Sequence, residues 1–145
     1  MIQKAARFAI KAHEGMVRKG GSMPYIYHPM EVALLVSRMT QDAEVIAAAY
    51  LHDVLEDTPV TAEELGQIFG SRVLALVQAE TEDKSLTWKE RKGQTIRHLE
   101  HASLEVKFLT LADKLSNIRA TARDYMVMGD EIWVRFNERR KELQK

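Results

Sequence analysis

The segment "AAAYLHDVLEDTPVTAEEL" sets His52, Asp53, Glu56, Asp57 and Glu63 directly after a run of alanines. On a helix, His52 and Glu56, like Asp53 and Asp57, stand four residues apart, and Asp53 and Glu56 three apart, so they share one broad face. Three carboxylates on such a face repel one another if left unpaired. A divalent cation held by an imidazole and a carboxylate relieves that repulsion, and a remaining carboxylate can then orient or deprotonate a water. That chemistry is hydrolysis. The alternative, a solvated helix end, has to place acids at a helix C-terminus against the macrodipole.

Two further stretches offer partners. In "LTLADKLSNIRA", Asp113 and Asn117 lie one turn apart in an otherwise apolar helix. Asp113 could be a distant metal ligand and Asn117 a hydrogen-bond donor to a substrate, or both could bond to backbone or to Arg119. His28 precedes Pro29 and should therefore be extended, at the entrance of a helix that Pro29 starts. Alone it reads as a local cap or a packed imidazole. Together, His28, His52, Asp53 and Asp113 make a mixed nitrogen and oxygen set suited to Mn²⁺, Fe²⁺, Zn²⁺ or Mg²⁺.

The elements that must position these residues are helical. Ile2, Ala5, Ala6, Ala9 and Ile10 mark a first helix, broken by the basic, glycine-rich "EGMVRKGGSMPY", which carries Arg18 and Lys19. The helix from Pro29 sets Val32, Leu35, Val36 and Met39 on one side. Asp42 is the expected N-cap of a helix through "AEVIAAAYLHDVLED", stopped by the turn at Thr58 and Pro59. Thr61 and Glu64 have capping-box spacing before a short helix ending at Gly70, "RVLALVQAE" continues as another, and "TWKE" opens a charged helix from about Trp88 to Leu99. Leu104, Phe108, Leu111, Leu115 and Ile118 describe a long helix from Ser103 to Tyr125, and "DEIWVRFNERRKELQK" a last one. Glu63 falls in a first helical turn, where its charge suits the dipole and no catalytic role is required. The expected fold is all-α, a single compact bundle of about seven or eight helices.

Composition narrows the function classes. A chain of 145 residues without a proline- or glycine-rich seam is the size of one domain. Its 21 basic and 21 acidic residues leave no overall field for a nucleic-acid polymer, and the absence of cysteine leaves His, Asp and Glu as metal ligands. No segment has the apolar length of a membrane span or signal peptide, so a cytoplasmic protein is expected.

The ordered series "AARFAIKAH", "RKGGSMPYIYHP", "AAYLHDVLEDT", "FGSRVLALVQAETEDKS" and "LADKLSNIRA" resembles the HD superfamily of metal-dependent phosphohydrolases, specifically the hydrolase domain of the RelA/SpoT family and the small alarmone hydrolases. The resemblance covers nearly the whole chain and implies one HD-type phosphohydrolase domain over residues 1–145, without a synthetase domain. It implies that His28, His52, Asp53 and Asp113 hold Mn²⁺ and that Glu56 and Asp57 position and activate the attacking water. It also implies that Arg18 and Lys19 contact the guanine base and phosphates, with Asn117 near the ribose. The implied reaction is hydrolysis of the 3′-pyrophosphate of ppGpp or pppGpp to GDP or GTP and pyrophosphate. The chain departs from the family's pattern at Trp88, with Lys89 adjacent, where some relatives carry a basic residue. It departs again in "IWVRFNERR", where Trp133, Arg135, Phe136 and Asn137 either reshape the pocket or, for the two aromatics, join the core. The alternatives are another nucleotide phosphohydrolase, such as an NADPH 2′-phosphatase, and a non-catalytic nucleotide-binding HD module. A degenerate module should have lost ligands or acids, and every position is filled.

Overall fold

The alanines at 47, 48 and 49 are fully buried, with Val45 and Leu51 beside them, because the helix that carries them is the axis of the molecule. The computed structural model describes residues 1–18 and 21–134, and over these the chain forms eight α-helices and no strand beyond an isolated antiparallel bridge between Val17 and Pro24. In chain order they are α1 (Ile2–Ala12), α2 (Tyr27–Ser37), α3 (Ala43–Leu51), α4 (Val54–Asp57), α5 (Ala62–Phe69), α6 (Ser71–Glu80), α7 (Trp88–His101) and α8 (Leu104–Met128), followed by a 3₁₀ turn over Gly129–Glu131. Helix α3 packs against α1, α2, α6 and α8. Its short side chains permit four neighbours to approach it closely.

The helix ends follow local chemistry. Asp42 Oδ1 accepts from the Glu44 backbone N–H at 3.1 Å and caps α3 as its position in the sequence suggests. Thr61 Oγ1 accepts from the Glu64 N–H, and at α7 both halves of the Thr87–Glu90 capping box form. Gly70, at φ +93°, lets α5 turn directly into α6, a conformation that a side chain would disfavour.

Three expectations are corrected. His28 is not extended: α2 begins at Tyr27, and the His28 backbone N–H bonds the Tyr25 carbonyl at 3.0 Å. Proline disfavours the helical conformation in the residue before it without forbidding it, and Pro29 still falls in a first turn, where a missing N–H costs nothing. Second, the helix through the acidic segment does not run unbroken. Helix α3 stops at Leu51, His52 and Asp53 form a turn, and α4 is a single turn capped by Thr58. Third, the apolar stripe that makes α8 legible is not its buried face. Leu109, Thr110, Ala112 and Ser116 are buried, whereas Leu104, Leu111 and Ile118 are exposed. Trp133 is exposed too, and Ile132 is the buried side chain of that segment. Arg135, Phe136 and Asn137 lie outside the described residues.

Among the described residues no helix is long and apolar enough to cross a membrane. The reassigned face of α8 has a measurable consequence. Leu109→Ala, at 1 % exposure, is expected to destabilise the fold by about 2–5 kcal/mol in urea titration, while Ile118→Ala, at 66 % exposure, stays within about 0.5 kcal/mol. Equal losses in the two variants would refute the orientation of the helix.

Candidate active site

The break between α3 and α4 does what a continuous helix could not. Adjacent helical residues project about 100° apart. The turn instead brings the side chains of His52 and Asp53 together, with Nε2 and Oδ2 3.0 Å apart. The imidazole is oriented from behind, because its Nδ1 lies 2.8 Å from the Ala49 carbonyl oxygen. A carbonyl only accepts, so Nδ1 carries the proton and the lone pair of the neutral ring sits on Nε2. Helix α2 supplies His28, whose Nδ1 meets Ser116 Oγ at 2.9 Å and whose Nε2 lies 3.0 Å from Asp113 Oδ1 on α8 and 3.6 Å from Asp53 Oδ2. His52 Nε2 is also 3.3 Å from Asp113 Oδ1.

This convergence is unfavourable without positive charge at its centre. His52 Nε2 is buried and makes no well-aligned hydrogen bond. Its lone pair faces carboxylate oxygens. Burial opposes charging of the ring, but Asp53 and Asp113 outweigh it and raise the His52 pKa well above the ordinary value. Burial likewise pushes both acids up, and the histidines reverse the sign: Asp53 is lowered to about 2, and Asp113 falls well below the carboxylate range with His28 hydrogen-bonded to it and His52 beside it. A proton can answer this demand, and so can a divalent cation. One donor atom each from His28, His52 and Asp113 lie within 4.8 Å of one another, so the nitrogen and oxygen set fits a metal.

The next acids stand in a different environment. Glu56 Oε1 accepts from the Glu82 backbone N–H at 2.8 Å, and burial raises its pKa, with the charges of Asp53 and Asp57 adding to the effect. Asp57 Oδ1 meets Lys84 Nζ at 3.2 Å. Donor oxygens of Asp53, Glu56 and Asp57 also lie within 4.8 Å of one another. A carboxylate with raised proton affinity beside a ligand set has the properties of a general base. Glu63 is exposed in α5.

On the other side of His28, Arg18 Nη2 donates to Asn117 Oδ1 at 3.4 Å, so these two expected substrate contacts do come together. Lys19 lies outside the described residues. A groove of ≈ 530 Å³ opens here between α2 and α8, with Arg18 and His28 in its wall. A second hollow, of ≈ 620 Å³ beside α7 and lined by Arg97, His98 and His101, contains none of the residues above.

Comparison with known proteins agrees with the geometry. The sequence profile of the HD domain matches residues 5–140. The chain belongs to the HD domain family. It is 43 % identical over 122 residues to a zebrafish (Danio rerio) protein named guanosine-3′,5′-bis(diphosphate) 3′-pyrophosphohydrolase MESH1, covering 82 % of this chain and 68 % of that one. It is 38 % identical over 147 residues to a guanosine-3′,5′-bis(diphosphate) 3′-pyrophosphohydrolase of Aquifex aeolicus, covering 99 % of this chain but only 19 % of that much longer protein. A solved structure described as a metazoan ortholog of SpoT that hydrolyzes ppGpp superposes with a TM-score of 0.78 at 35 % identity, covering 83 % of this chain and 70 % of the other.

This HD domain also contains site residues that sequence reasoning missed. Tyr25 donates to Asp53 Oδ2 at 2.5 Å and approaches Asp57 Oδ2 at 3.4 Å, so one hydroxyl spans an acid from each group. Its ring lies 5.1 Å from that of His13, a buried imidazole whose pKa is lowered by burial. Among the described residues neither His13 ring nitrogen has a hydrogen-bond partner. Glu80 is the third: Thr110 donates to its Oε1 at 2.7 Å, and burial pushes its carboxyl up to about 6. Lys84 is the fourth. Nothing in residue type or helical spacing separates Tyr25 from the neighbouring Tyr27. Thr110 and Glu80 belong to helices whose meeting only the fold reveals.

Two outcomes follow. Tyr25→Phe is expected to weaken divalent-cation binding about 10- to 100-fold in calorimetric titration, because it frees a ligand carboxylate from its anchor; unchanged affinity would remove Tyr25 from the site. For Glu80, the folded state holds the proton more tightly than the unfolded chain, so its contribution to stability is complete below pH 4.5 and lost as pH rises through 6. Glu80→Gln keeps an acceptor for Thr110 and cannot ionise. In metal-free protein it should be more stable than wild type by about 1–2 kcal/mol at pH 7–8, and the gap should close below pH 4.5. A difference independent of pH would contradict this.

Proposed function

We propose that residues 1–145 act as one HD-type phosphohydrolase domain. In this reading it hydrolyses the 3′-pyrophosphate of guanosine 3′,5′-bis(diphosphate), and of the corresponding triphosphate, to GDP or GTP and pyrophosphate. The observation that carries the reading is the convergence of His28, His52, Asp53 and Asp113 on a point that demands positive charge, with a proton-hungry Glu56 beside it. The substrate class comes from the relatives, whose names specify this reaction. The MESH1 relatives are about two-thirds spanned by the chain.

Those four side chains would hold Mn²⁺, which when bound polarises a phosphoryl oxygen and lowers the proton affinity of water. Glu56 takes the proton of the attacking water, and Asp57, held by Lys84, orients that water. As the oxygen–phosphorus bond to the new water oxygen forms, the bond from phosphorus to the ribose 3′-oxygen breaks, and the nucleoside oxygen leaves to take up a proton. The exposed Lys84 ammonium offers a point charge for the departing pyrophosphate. Arg18 and Lys19 receive base and phosphate, and Asn117 the ribose. A cytoplasmic location, where such nucleotides are free in solution, belongs to the same proposal.

The deciding assay presents purified protein and Mn²⁺ with ppGpp, pppGpp, NADPH and deoxynucleotides. Pyrophosphate release from the guanosine polyphosphates is expected, with a loss of at least about 100-fold in Asp53→Ala. Orthophosphate from NADPH with no action on ppGpp would sink the substrate assignment. Full turnover by the Asp53 variant would sink the site.

A further inference from the structure

We propose that Glu31, at the far end of the groove between α2 and α8, reads the N1–H and N2–H₂ edge of a guanine base. This goes beyond the hydrolytic site and rests on the reading of the chain as a guanosine polyphosphate hydrolase.

Two contacts mark the groove: at one end Ser116 of α8 meets His28 of α2, and at the other Arg123 of α8 meets Glu31 of α2, with Nη1 and Oε2 3.5 Å apart. They stand seven residues, about 10 Å, apart along α8 and three residues, about 4.5 Å, apart along α2. The groove along this stretch, at ≈ 530 Å³, lies within the range of small-molecule sites, and Arg18, Tyr27, Leu34 and Tyr50 line it with Glu31 and Arg123. A nucleotide whose 3′-phosphate sits at the His28 end sets its sugar against Asn117 and its base in the groove that Arg18 and Glu31 both line.

The state of Glu31 says what it would bind. Its Oε1 is buried with no hydrogen-bond partner, and its other oxygen has only the loose Arg123 contact among the described residues. A buried acceptor left unsatisfied is costly, and each such group in a folded protein calls for a reason. A carboxylate can only accept, and in a groove that receives a polyanion it is repulsive unless donors face it. Guanine presents two adjacent N–H donors that match the two carboxylate oxygens in parallel. Adenine sets a ring-nitrogen lone pair where guanine has N1–H, and hypoxanthine keeps N1–H but lacks the amino group. Arg123 is half exposed on a long rotatable side chain, so its displacement uncovers both oxygens and turns its own charge towards the ligand.

The test compares guanosine, inosine and adenosine 3′,5′-bis(diphosphates) for hydrolysis with Mn²⁺, and GDP, IDP and ADP for equilibrium binding. Wild type, Glu31→Ala and Glu31→Gln are measured, with melting temperatures confirming that each variant folds. Wild type should prefer guanine over adenine by about 10- to 100-fold with hypoxanthine between them. In Glu31→Ala the three should fall within about threefold of one another, through a higher KM for guanosine with kcat little changed. Glu31→Gln, which places a donor against a donor, should not restore the preference. Equal losses for all three bases, or a preference that survives in Glu31→Ala, would overturn the assignment while leaving the hydrolase reading intact. Guanine-selective binding that depends on Glu31 without any hydrolysis would uphold the base reader and overturn the reaction. Neither binding nor hydrolysis would overturn both.

Discussion

Two imidazole nitrogens and two carboxylate oxygens meet within 3.0–3.6 Å in a largely buried pocket, and their charges balance only if something positive joins them. These donors come from three places in the fold: His28 from the first turn of α2, His52 and Asp53 from the break after α3, and Asp113 from the middle of α8. The packing of α2 and α8 on the alanine face of α3 fixes those three origins relative to one another. Larger residues at 47–49 would spread the helices and with them the donors. The small side chains of α3 therefore act on the chemistry although none of them touches it.

The sequence carried the chemistry of this cluster further than its geometry. His52, Asp53, Glu56 and Asp57 were legible because acids after a buried alanine run are costly, and costly groups are kept for a reason. The shared face holds for Asp53, Glu56 and Asp57, whose donor oxygens lie within 4.8 Å of one another, and it is the unbroken helix that does not. At the turn of His52 and Asp53 the His52 ring bonds the Ala49 carbonyl three residues back, a local side-chain contact with no periodic signal. His28 was read as extended from the local rule for residues before proline, and interactions with Ser116 and Asp113 hold it in a helix instead. In α8 the regular stripe of Leu104, Leu111 and Ile118 announced a helix, while the buried face is made of Leu109, Thr110, Ala112 and Ser116. Half of that face is polar, so hydrophobicity alone could not identify it. Tyr25 was invisible for the related reason that a tyrosine beside a loop is common and only its partners make it special.

Neighbouring carboxylates are driven apart in character by what surrounds them. Asp53 and Asp113 face imidazoles and are held ionised far below the usual range. Glu56, three residues from Asp53, is pushed the opposite way by burial and by the charges of Asp53 and Asp57, against the Glu82 N–H that it accepts from. Acids whose proton affinities are separated by environment can take separate roles, one set holding charge and the other moving protons. Tyr25 sits between the two sets, its hydroxyl donating to Asp53 and lying 3.4 Å from Asp57.

The two histidines are anchored differently, and the difference has a direction. His52 leans on a carbonyl, which fixes its tautomer, whereas His28 leans on Ser116 Oγ, which can donate or accept. Ser116 lies on α8 between Asp113 and Asn117, so little more than one turn of helix carries a candidate ligand, the anchor of a second candidate ligand, and the partner of Arg18. On the proposed reading, a nucleotide held against Asn117 and Arg18 would lie within about one helical turn of Asp113 and of the serine that meets His28, whereas His52 is anchored independently, through the Ala49 carbonyl.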